Sequence, residues 1–263
     1  MPDRPPQAPT RPSLVPSRDA LRGRVLVITR PVGTAGGLLR RVRALGGVAV
    51  SLPGLALRAP EDPPAARARL REALADELVI FTSPAAVRHA ATLTALRTHA
   101  IVLAVGQGTA RALRRHGVRV VLSPGEQDSE GLLALPALQD VRGRPVALVG
   151  ASGGRGVLRR ELAARGARLR EVHVYRRVAP RLDRRHVDAL RVLPRSARVL
   201  LSSAEALHNL CSLLPAPELA HLLGATAVVS SERLAAAAHA AGFRRVVQAA
   251  SALAGDMLLA AAR

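Results

Sequence analysis

The sequence predicts an α/β fold built on parallel sheets. Three observations support this class. Short apolar runs alternate with helical segments along the chain; most runs end in a turn of Gly, Ser or Thr; and the two halves of the chain repeat. Strands that alternate with helices form parallel sheets, because each helix carries the chain back to the same end of the sheet.

The predicted strands are continuous apolar runs, as expected for parallel strands that are buried on both faces. With the turns that end two of them, they cover residues 24–30, 48–57, 78–83, 101–105, 118–122, 145–149, 171–178, 198–203, 225–229 and 246–247. One predicted helix starts at Pro84, which suits the first helical position, and Ser83 before it suits the N-cap. The others cover residues 38–45, 65–74, 110–116, 129–138, 157–165, 182–193, 204–214, 234–241 and 253–262.

The two halves of the chain share a pattern at a fixed offset. Residues 79–83 match residues 199–203 at an offset of 120 residues, and residues 24–28 match residues 144–148 at the same offset. The glycines that end two helices, Gly117 and Gly242, match at an offset of 125. The sequence therefore predicts two homologous α/β units.

The composition indicates a folded protein of one large or two ordinary domains. Hydrophobic residues make up 49% of 263 residues and aromatic residues only 1%, so the core is expected to consist of Ala, Val and Leu. Residues 1–20 are rich in Pro and Arg without periodicity and predict a disordered leader. Neither a signal peptide nor a membrane-spanning run is visible, so a cytoplasmic location without a membrane partner is expected. The single cysteine, Cys211, cannot form an internal disulfide and is expected in the core.

The formal net charge of +20 is compatible with two kinds of partner. The chain has no lysine, so arginine supplies all 39 basic residues. An arginine-rich surface suits nucleic acid, and arginines around a cleft suit a polyanionic small molecule. The arginines are spread along the chain and not concentrated in one stripe, and aromatic residues for base stacking are missing, so nucleic acid is not an expected partner.

The turns after the predicted strands indicate an anion site. They carry hydroxyl, glycine and arginine residues at helix starts, where free N–H groups and the helix dipole favour negative charge. Any one Ser or Thr could be only an N-cap. The whole set favours a ligand with many carboxylates or phosphates: Thr29–Arg30, Thr82–Ser83, Gly106–Thr109, Gly150–Arg155, Ser202–Ser203 and Ser230–Arg233.

Other chemistries find no support in the sequence. Without lysine, neither a Walker loop nor a Schiff base is possible, and the glycine motif of dinucleotide-binding folds is absent. The eight histidines are dispersed and share no ligand spacing with Cys211. No nucleophile motif is visible. The sequence predicts neither a metal nor a cofactor.

The segment 171–178 carries the only tyrosine of the chain, Tyr175. Its alternation places His173, Tyr175 and Arg177 on one face of a predicted strand, opposite Val172, Val174 and Arg176. This segment alone favours a half-buried strand tyrosine with its hydroxyl in water.

Five motifs, in their order and spacing, resemble the uroporphyrinogen-III synthase family. They are Val-Leu-Val-Ile-Thr-Arg-Pro31, Phe-Thr-Ser-Pro-Ala-Ala-Val87, Ala-Val-Gly-Gln-Gly-Thr-Ala110, Val-His-Val-Tyr-Arg176 and the Ser-Glu-Arg233 turn with the Ala-Gly-Phe243 that follows it. The resemblance covers about residues 24–262. It implies two flavodoxin-like lobes joined by a two-stranded hinge, with the second lobe inserted into the first. Lobe one would be 21–50 and 179–263, the hinge 51–55 and 172–178, and lobe two 56–171.

The resemblance also implies an activity. Members of this family convert hydroxymethylbilane to uroporphyrinogen III with inversion of ring D, loss of water and no cofactor. The substrate carries eight carboxylates, which suits helix N-termini and arginines lining a cleft. A monomer that receives its substrate by hand-over from hydroxymethylbilane synthase is expected. The alternative is a two-lobed binder of a polycarboxylate or tetrapyrrole that has lost turnover.

The resemblance assigns roles to particular residues. The hinge tyrosine of the family matches Tyr175, which would donate a hydrogen bond to the leaving hydroxyl. The substrate-binding positions would be Arg30, Thr82, Ser83, Gly106, Thr109, Ser152, Gly153, Ser202, Ser203 and Ser231. One departure is visible, because Leu234 stands where many members have a threonine. Ser230 or Ser231 could supply that hydroxyl, or it could be dispensable.

Overall fold

The computed structural model describes residues 19–125, 128–153 and 156–263. The chain forms two compact units. The first unit comprises the chain up to Ala56 together with Ala179–Arg263, and the second unit is Leu57–Val178. The second unit is therefore an insertion in the sequence of the first. Of the predicted disordered leader, residues 1–18 lie outside the described residues.

Each unit is built on one five-stranded sheet. The strands, in chain order, are β1 (Val25–Ile28), β2 (Val48–Ser51), β3 (Ala56–Arg58), β4 (Leu78–Phe81), β5 (Ile101–Ala104), β6 (Pro145–Ala151), β7 (Arg168–Val178), β8 (Arg198–Leu200), β9 (Thr226–Val229) and β10 (Arg245–Gln248).

The helices connect these strands. They are α1 (Gly36–Ala44), α2 (Pro63–Ala73), α3 (Pro84–Leu93), α4 (Gln107–Arg115), α5 (Ser129–Leu133), α6 (Val157–Ala164), α7 (Arg184–Arg191), α8 (Ala204–Leu213), α9 (Ala216–Gly224), α10 (Glu232–Ala240) and α11 (Ala254–Ala262). One turn of 3-10 helix, Pro136–Leu138, follows α5.

The first sheet has the strand order β10-β9-β8-β1-β2, and its strands run parallel. Strand β1 lies between β8 and β2, and its successive side chains point to opposite faces of the sheet, where both are buried. Val27 packs into the core cluster of α8 and α10, whereas Leu26 and Ile28 pack into the core cluster of α1 and α11. The continuous apolar run of β1 in the sequence reflects this double burial.

The second sheet has the order β3-β7-β6-β4-β5, in which β4 to β7 run parallel. Its two faces carry separate core clusters, one with α2, α3 and α4 and one with α5 and α6. Aromatic residues are rare, and the clusters consist mainly of Leu, Val and Ala. The predicted α/β class with parallel sheets is confirmed.

Four elements differ from the sequence prediction. The predicted helix 129–138 divides into α5 and the 3-10 turn Pro136–Leu138. Residues 118–122, predicted as a strand, make one bridge, between Leu103 and Leu122. The predicted strand 48–57 is interrupted between β2 and β3, where Gly54 lies against Ala206 so closely that a Cβ would approach the alanine Cβ to 2.6 Å. Helix α9 had no prediction, because Pro215 and Pro217 at its start resemble loop residues. Pro is tolerated in the first turn, where its missing N–H has no helical partner.

Among the described residues, no helix combines the length and hydropathy needed to cross a membrane.

Candidate functional site

Each sheet has one place where a ligand site is expected from topology. The connections leave the sheet in opposite directions beside its central strand, between β1 and β8 in the first unit and between β6 and β4 in the second. Ligands of open parallel sheets bind beyond the carboxyl ends of the strands at such a switch point. A cavity lies at this place in each unit.

The cavity of the second unit, about 300 Å³ in volume, contains most of the residues predicted for this half of the site. Its lining includes Thr82, Ser83, Gly153, Tyr175 and Arg177. Thr82 and Ser83 follow β4 and begin α3, and the other residues follow or belong to β6 and β7. The structure therefore brings together sequence positions that are more than ninety residues apart, from Thr82 to Tyr175.

Tyr175 is held by two residues of one helix. Its hydroxyl lies 3.3 Å from Ser83 Oγ, and its ring stacks on His89 with ring centroids 5.1 Å apart and an interplanar angle of 19°. Ser83 is the N-cap of α3 and accepts the Ala86 N–H at 3.0 Å. Either hydroxyl can be the donor of the bond between Ser83 and Tyr175, and one arrangement has Ser83 donating to the phenol oxygen. The phenol proton is then available to a ligand in the cavity.

The predicted alternation of residues 171–178 is interrupted in its burial pattern at Tyr175. Along β7, Gly150 pairs with His173 but Ala151 pairs with Tyr175, so the register shifts by one residue. Val174 and Tyr175 are both buried, at 0% and 7% exposure. An extra residue of this kind re-aims the side chains that follow it. Tyr175 therefore joins the core cluster with Val172 and Val174, and it also lines the cavity of the second unit together with His173 and Arg177.

Thr82 ties two strands together at the switch point. Its hydroxyl donates to the Val149 carbonyl of β6 at 3.2 Å. The neighbouring residue must be glycine, because a Cβ at Gly150 would collide with Thr82 Oγ1. The hydroxyl proton of Thr82 is thus used within the protein, so this hydroxyl can only accept a hydrogen bond from a ligand.

The turn after β6 is only partly described. Ser152 and Gly153 are exposed, and the Arg177 Nη2 donates to the Ser152 carbonyl at 3.2 Å. Gly153 adopts a left-handed conformation with φ of 75°, which glycine adopts without strain. Gly154 and Arg155, which the sequence analysis included in this turn, lie outside the described residues.

The turn after β5 presents backbone rather than side chains. Gly106 is the N-cap of α4 and offers no side chain to accept from the first helical amides. Thr109 is only 2% exposed and belongs to the interior of the unit. Its predicted contact with a substrate stays a prediction.

The cavity of the first unit, about 250 Å³, combines an apolar wall with a cation. Leu38, Leu200 and Met257 form part of the wall, and Arg30 and Ser202 line the same space. Burial lowers the pKa of the Arg30 guanidinium below its ordinary value, and the group makes no ion pair with a described carboxylate. A desolvated cation without a counter-charge favours an anionic ligand.

Ser202 makes the same kind of hydrogen bond in the first unit as Thr82 makes in the second. Its hydroxyl donates to the Thr29 carbonyl at 3.0 Å, and its N–H donates to Thr29 Oγ1 at 3.0 Å. Thr29 is fully buried and its hydroxyl donates to Leu200 O at 2.9 Å. Thr29 and Val149 correspond at the repeat offset of 120, so both units close the switch point with a hydroxyl-to-carbonyl bond.

Ser203 and Ser231 are N-caps. Ser203 accepts the Ala206 N–H at 3.1 Å at the start of α8, and Ser231 accepts the Leu234 N–H at 3.3 Å at the start of α10. The N-cap role and the predicted substrate contact are compatible for both serines. Each oxygen accepts a backbone N–H, and each hydroxyl proton can still be donated to a ligand. Leu234 is 5% exposed, in the same helical position as the buried Thr109 of α4.

His89 was not predicted as a site residue, because the histidines are dispersed in the sequence and share no ligand spacing. Its only signal is its distance of six residues from the N-cap Ser83, which places it on α3. Among the described residues, no group of three His, Cys, Asp or Glu side chains could hold a metal ion.

Known proteins resemble this chain over most of its length. The model of the family described as "Uroporphyrinogen-III synthase HemD" matches residues 37–258. The uroporphyrinogen-III synthase of Salmonella typhimurium is 34% identical over 229 residues, covering 84% of this chain and 93% of that protein. The enzyme of the same name from Escherichia coli is 31% identical over 243 residues, with the same two coverages.

Solved structures show the same fold. The uroporphyrinogen-III synthetase of Helicobacter pylori has a TM-score of 0.58 and 15% identity, covering 89% of this chain and 96% of that one. A mutant uroporphyrinogen III synthase of Thermus thermophilus has a TM-score of 0.57 and 21% identity, with coverages of 89% and 96%. At these identities the likeness concerns the fold alone.

Proposed function

This chain belongs to the uroporphyrinogen-III synthase family, and we propose that it closes the linear tetrapyrrole hydroxymethylbilane to uroporphyrinogen III. Ring D is inverted and one water is lost. The chain is thus an enzyme of the lyase type in porphyrin biosynthesis. Relatives with this name align with it over most of their own length.

One observation supports the catalytic site above all others. The hydroxyl of Tyr175 lies beside Ser83 at the N-terminus of α3, and both residues line the cavity of the second unit. An O–H donor and the positive end of a helix are together at one place. This is the environment that the departure of a hydroxyl group and the binding of an acidic substrate require.

The proposed reaction begins with loss of the substrate's terminal hydroxyl. The Tyr175 phenol donates a hydrogen bond to this oxygen as its bond to carbon breaks, and water leaves. The resulting azafulvene is attacked by the substituted carbon of ring D to form a spiro intermediate. That intermediate fragments and recloses with ring D inverted, and the proton released from ring D replaces the pyrrole N–H proton that left with the hydroxyl as water. Because the substrate cyclises unaided to the other isomer, the protein acts mainly by positioning.

The remaining site residues are proposed to bind carboxylates of the substrate. Arg30 supplies a desolvated cation, and the cap hydroxyls of Ser203 and Ser231 keep free donors at helix starts. Gly106 supplies backbone amides. The other members of this proposal are Thr82, Thr109, Ser152, Gly153 and Ser202. Thr82 and Ser202 contribute by shaping the switch points, since their hydroxyl protons are already donated.

The proposal also includes a monomeric state, a cytoplasmic location, a hinge at residues 51–55 and 172–178, and hand-over from hydroxymethylbilane synthase. Light scattering of the purified protein tests the first of these. The others rest on the family resemblance.

The decisive experiment is a coupled assay. Hydroxymethylbilane is generated in situ, this protein is added, and the oxidised uroporphyrin isomers are separated by chromatography. We expect isomer III to replace isomer I. Persistence of isomer I with binding of uroporphyrinogen would instead identify a non-catalytic tetrapyrrole binder.

The variant Tyr175→Phe tests the proposed hydrogen bond. We expect kcat for isomer III to fall about tenfold to hundredfold, the range of one hydrogen bond that acts in the transition state. The ring and its stacking on His89 remain, so the fold should persist, as circular dichroism would report. A kcat equal to that of the unaltered protein contradicts the assigned role.

A further inference from the structure

Helices α3 and α8 are equivalent elements of the two units. Both begin with a serine N-cap, Ser83 and Ser203, separated by the repeat offset of 120 residues. At the same offset His89 of α3 corresponds to Asn209 of α8. These two positions differ in residue type but, within their own units, they contact equivalent parts of the chain.

In the first unit, Asn209 fixes the segment that follows β2. Its Nδ2 donates to the Gly54 carbonyl at 2.9 Å. The segment lies directly on α8, because a Cβ at Gly54 would meet Ala206. This position on α8 therefore determines where the backbone after β2 runs.

In the second unit, the corresponding contact is with a side chain. Residue 54 corresponds to Val174 at the repeat offset, and the next residue is Tyr175. His89 stacks on the Tyr175 ring, and Ser83 lies at the phenol oxygen. Helix α3 and its N-cap thus contact both the ring face and the hydroxyl of Tyr175.

The tyrosine needs such support because β7 is irregular at this point. The register between β6 and β7 shifts between Gly150 and Ala151, immediately before Tyr175. Where a ladder is interrupted, the pleat no longer fixes the direction of the side chain. A second constraint must come from outside the sheet, and α3 supplies it.

We propose that His89 is a positioning residue that sets the plane of the Tyr175 ring, so that the phenol hydroxyl stays beside Ser83 and faces the cavity. His89 does not touch the substrate in this scheme. The stacked pair favours an offset arrangement of two flat rings, which restricts rotation about the tyrosine side chain. The proposal rests on the proposed function only in that Tyr175 serves the reaction.

The test compares His89→Ala with His89→Phe, which keeps a flat ring. His208→Ala, at an exposed position of α8, is the control. We expect His89→Ala to lower kcat for isomer III about threefold to tenfold, the effect of one aromatic pair, with KM unchanged. We expect His89→Phe and His208→Ala to retain kcat. Equal losses in His89→Ala and His89→Phe would overturn the proposal.

A double-mutant cycle separates positioning from general damage. On a Tyr175→Phe background we expect His89→Ala to cause no further loss of kcat, because its effect passes through the phenol hydroxyl. The same loss on both backgrounds, or a raised KM with normal kcat, would assign His89 a structural or substrate-binding role instead.

A spectroscopic readout does not depend on the enzyme activity. Tyr175 is the only tyrosine and the chain has no tryptophan, so the tyrosine band in near-ultraviolet circular dichroism reports this residue alone. We expect the band to weaken in His89→Ala, to persist in His89→Phe, and far-ultraviolet spectra to be equal. An unchanged band in His89→Ala refutes the positioning role, even if the proposed reaction itself is not found.

Discussion

Gly150 shows at the scale of one residue how tightly the switch point of the second unit is built. Its missing side chain leaves the space that Thr82 occupies while donating to Val149. The requirement is steric, since the residue does not adopt a left-handed conformation. The equivalent position in the first unit is Arg30, which lines a cavity there. Both residues line the cavity of their unit, but the position gives room for a close contact in the second unit and carries a cation in the first.

The variant Gly150→Ala should destabilise the second unit by about 1–3 kcal/mol, the usual cost of an added methyl in a packed site. Thermal unfolding measures the change. On a Thr82→Ala background the collision is absent, and we expect a smaller cost for the same methyl. Gly37→Ala, within α1 and without a neighbour in 4 Å, is the matched control and should not destabilise. Equal costs on both backgrounds would contradict the proposed collision.

His89 should make stability depend on pH. Burial, and secondarily the charge of Arg88, lower the pKa of His89 below its ordinary value of 6.5. The unfolded chain therefore takes up a proton at a higher pH than the folded chain does. Stability from this group is complete above about pH 6.5 and is lost as the pH falls toward the folded pKa.

The comparison of thermal midpoints between neutral and mildly acidic pH tests this dependence. We expect the unaltered protein to lose more stability on acidification than His89→Phe, which cannot be protonated there. Parallel curves for the two proteins would show that His89 does not contribute.

At the scale of elements, α3 and α8 are equivalent helices that both begin at a serine N-cap. Each N-cap serine satisfies one amide of its helix, and only Ser83 also lies at the phenol of Tyr175. The two serines are therefore a matched pair, equal in their structural role and different in their relation to the reactive group.

Ser83→Ala and Ser203→Ala should each cost about 1 kcal/mol of stability, as is typical for loss of an N-cap. We expect only Ser83→Ala to lower kcat for isomer III, because it alone removes a partner of the phenol. Unfolding curves and the coupled assay supply the two measurements. A larger loss of kcat in Ser203→Ala would reverse the assignment.

The elements that the sequence predicted well are those whose signals are local. The run of β1 and the Ser-Pro start of α3 are local signals of burial and capping. The shift in β7 left no local signal, because it depends on pairing with Gly150 and Ala151. The proline start hid α9, and the contact of Asn209 with Gly54 depends on packing across more than 150 residues of sequence.

In the candidate site, too, only the features with a local sequence signal were predicted. The turns that carry Ser83, Ser203 and Ser231 were visible as hydroxyl residues at helix starts, and the N-cap geometry is observed at all three. The burial of Thr109 and the stacking of His89 on Tyr175 could not be predicted from the sequence, because each depends on neighbours from other elements. Their substrate roles stay predictions.

At the scale of the whole molecule, the dominant quantity is the formal net charge of +20. A substrate with many carboxylates is attracted to such a protein over a distance set by the ionic strength, about 10 Å at 0.1 M salt. The attraction acts on binding and not on the chemical step.

Raising the salt concentration should therefore raise KM for hydroxymethylbilane several-fold between about 0.05 M and about 0.5 M, with kcat nearly unchanged. The coupled assay with saturating hydroxymethylbilane synthase measures both constants. Sucrose at equal osmolality is the control and should leave KM unchanged. A KM that is independent of salt would show that the arginine surface does not assist binding.

The insertion of one unit into the other also fixes an order of events on the ribosome. The second unit, Leu57–Val178, is continuous, and all its strands have been synthesised once β7 is complete. The first unit must wait, because β1 lies between β2 and β8 and its partner β8 begins only at Arg198. The newborn chain thus carries a hydrophobic strand with one unpaired edge throughout synthesis of the inserted unit. Such an edge is a place where nascent chains associate wrongly, so chaperone contact during translation is expected at the strand synthesised first.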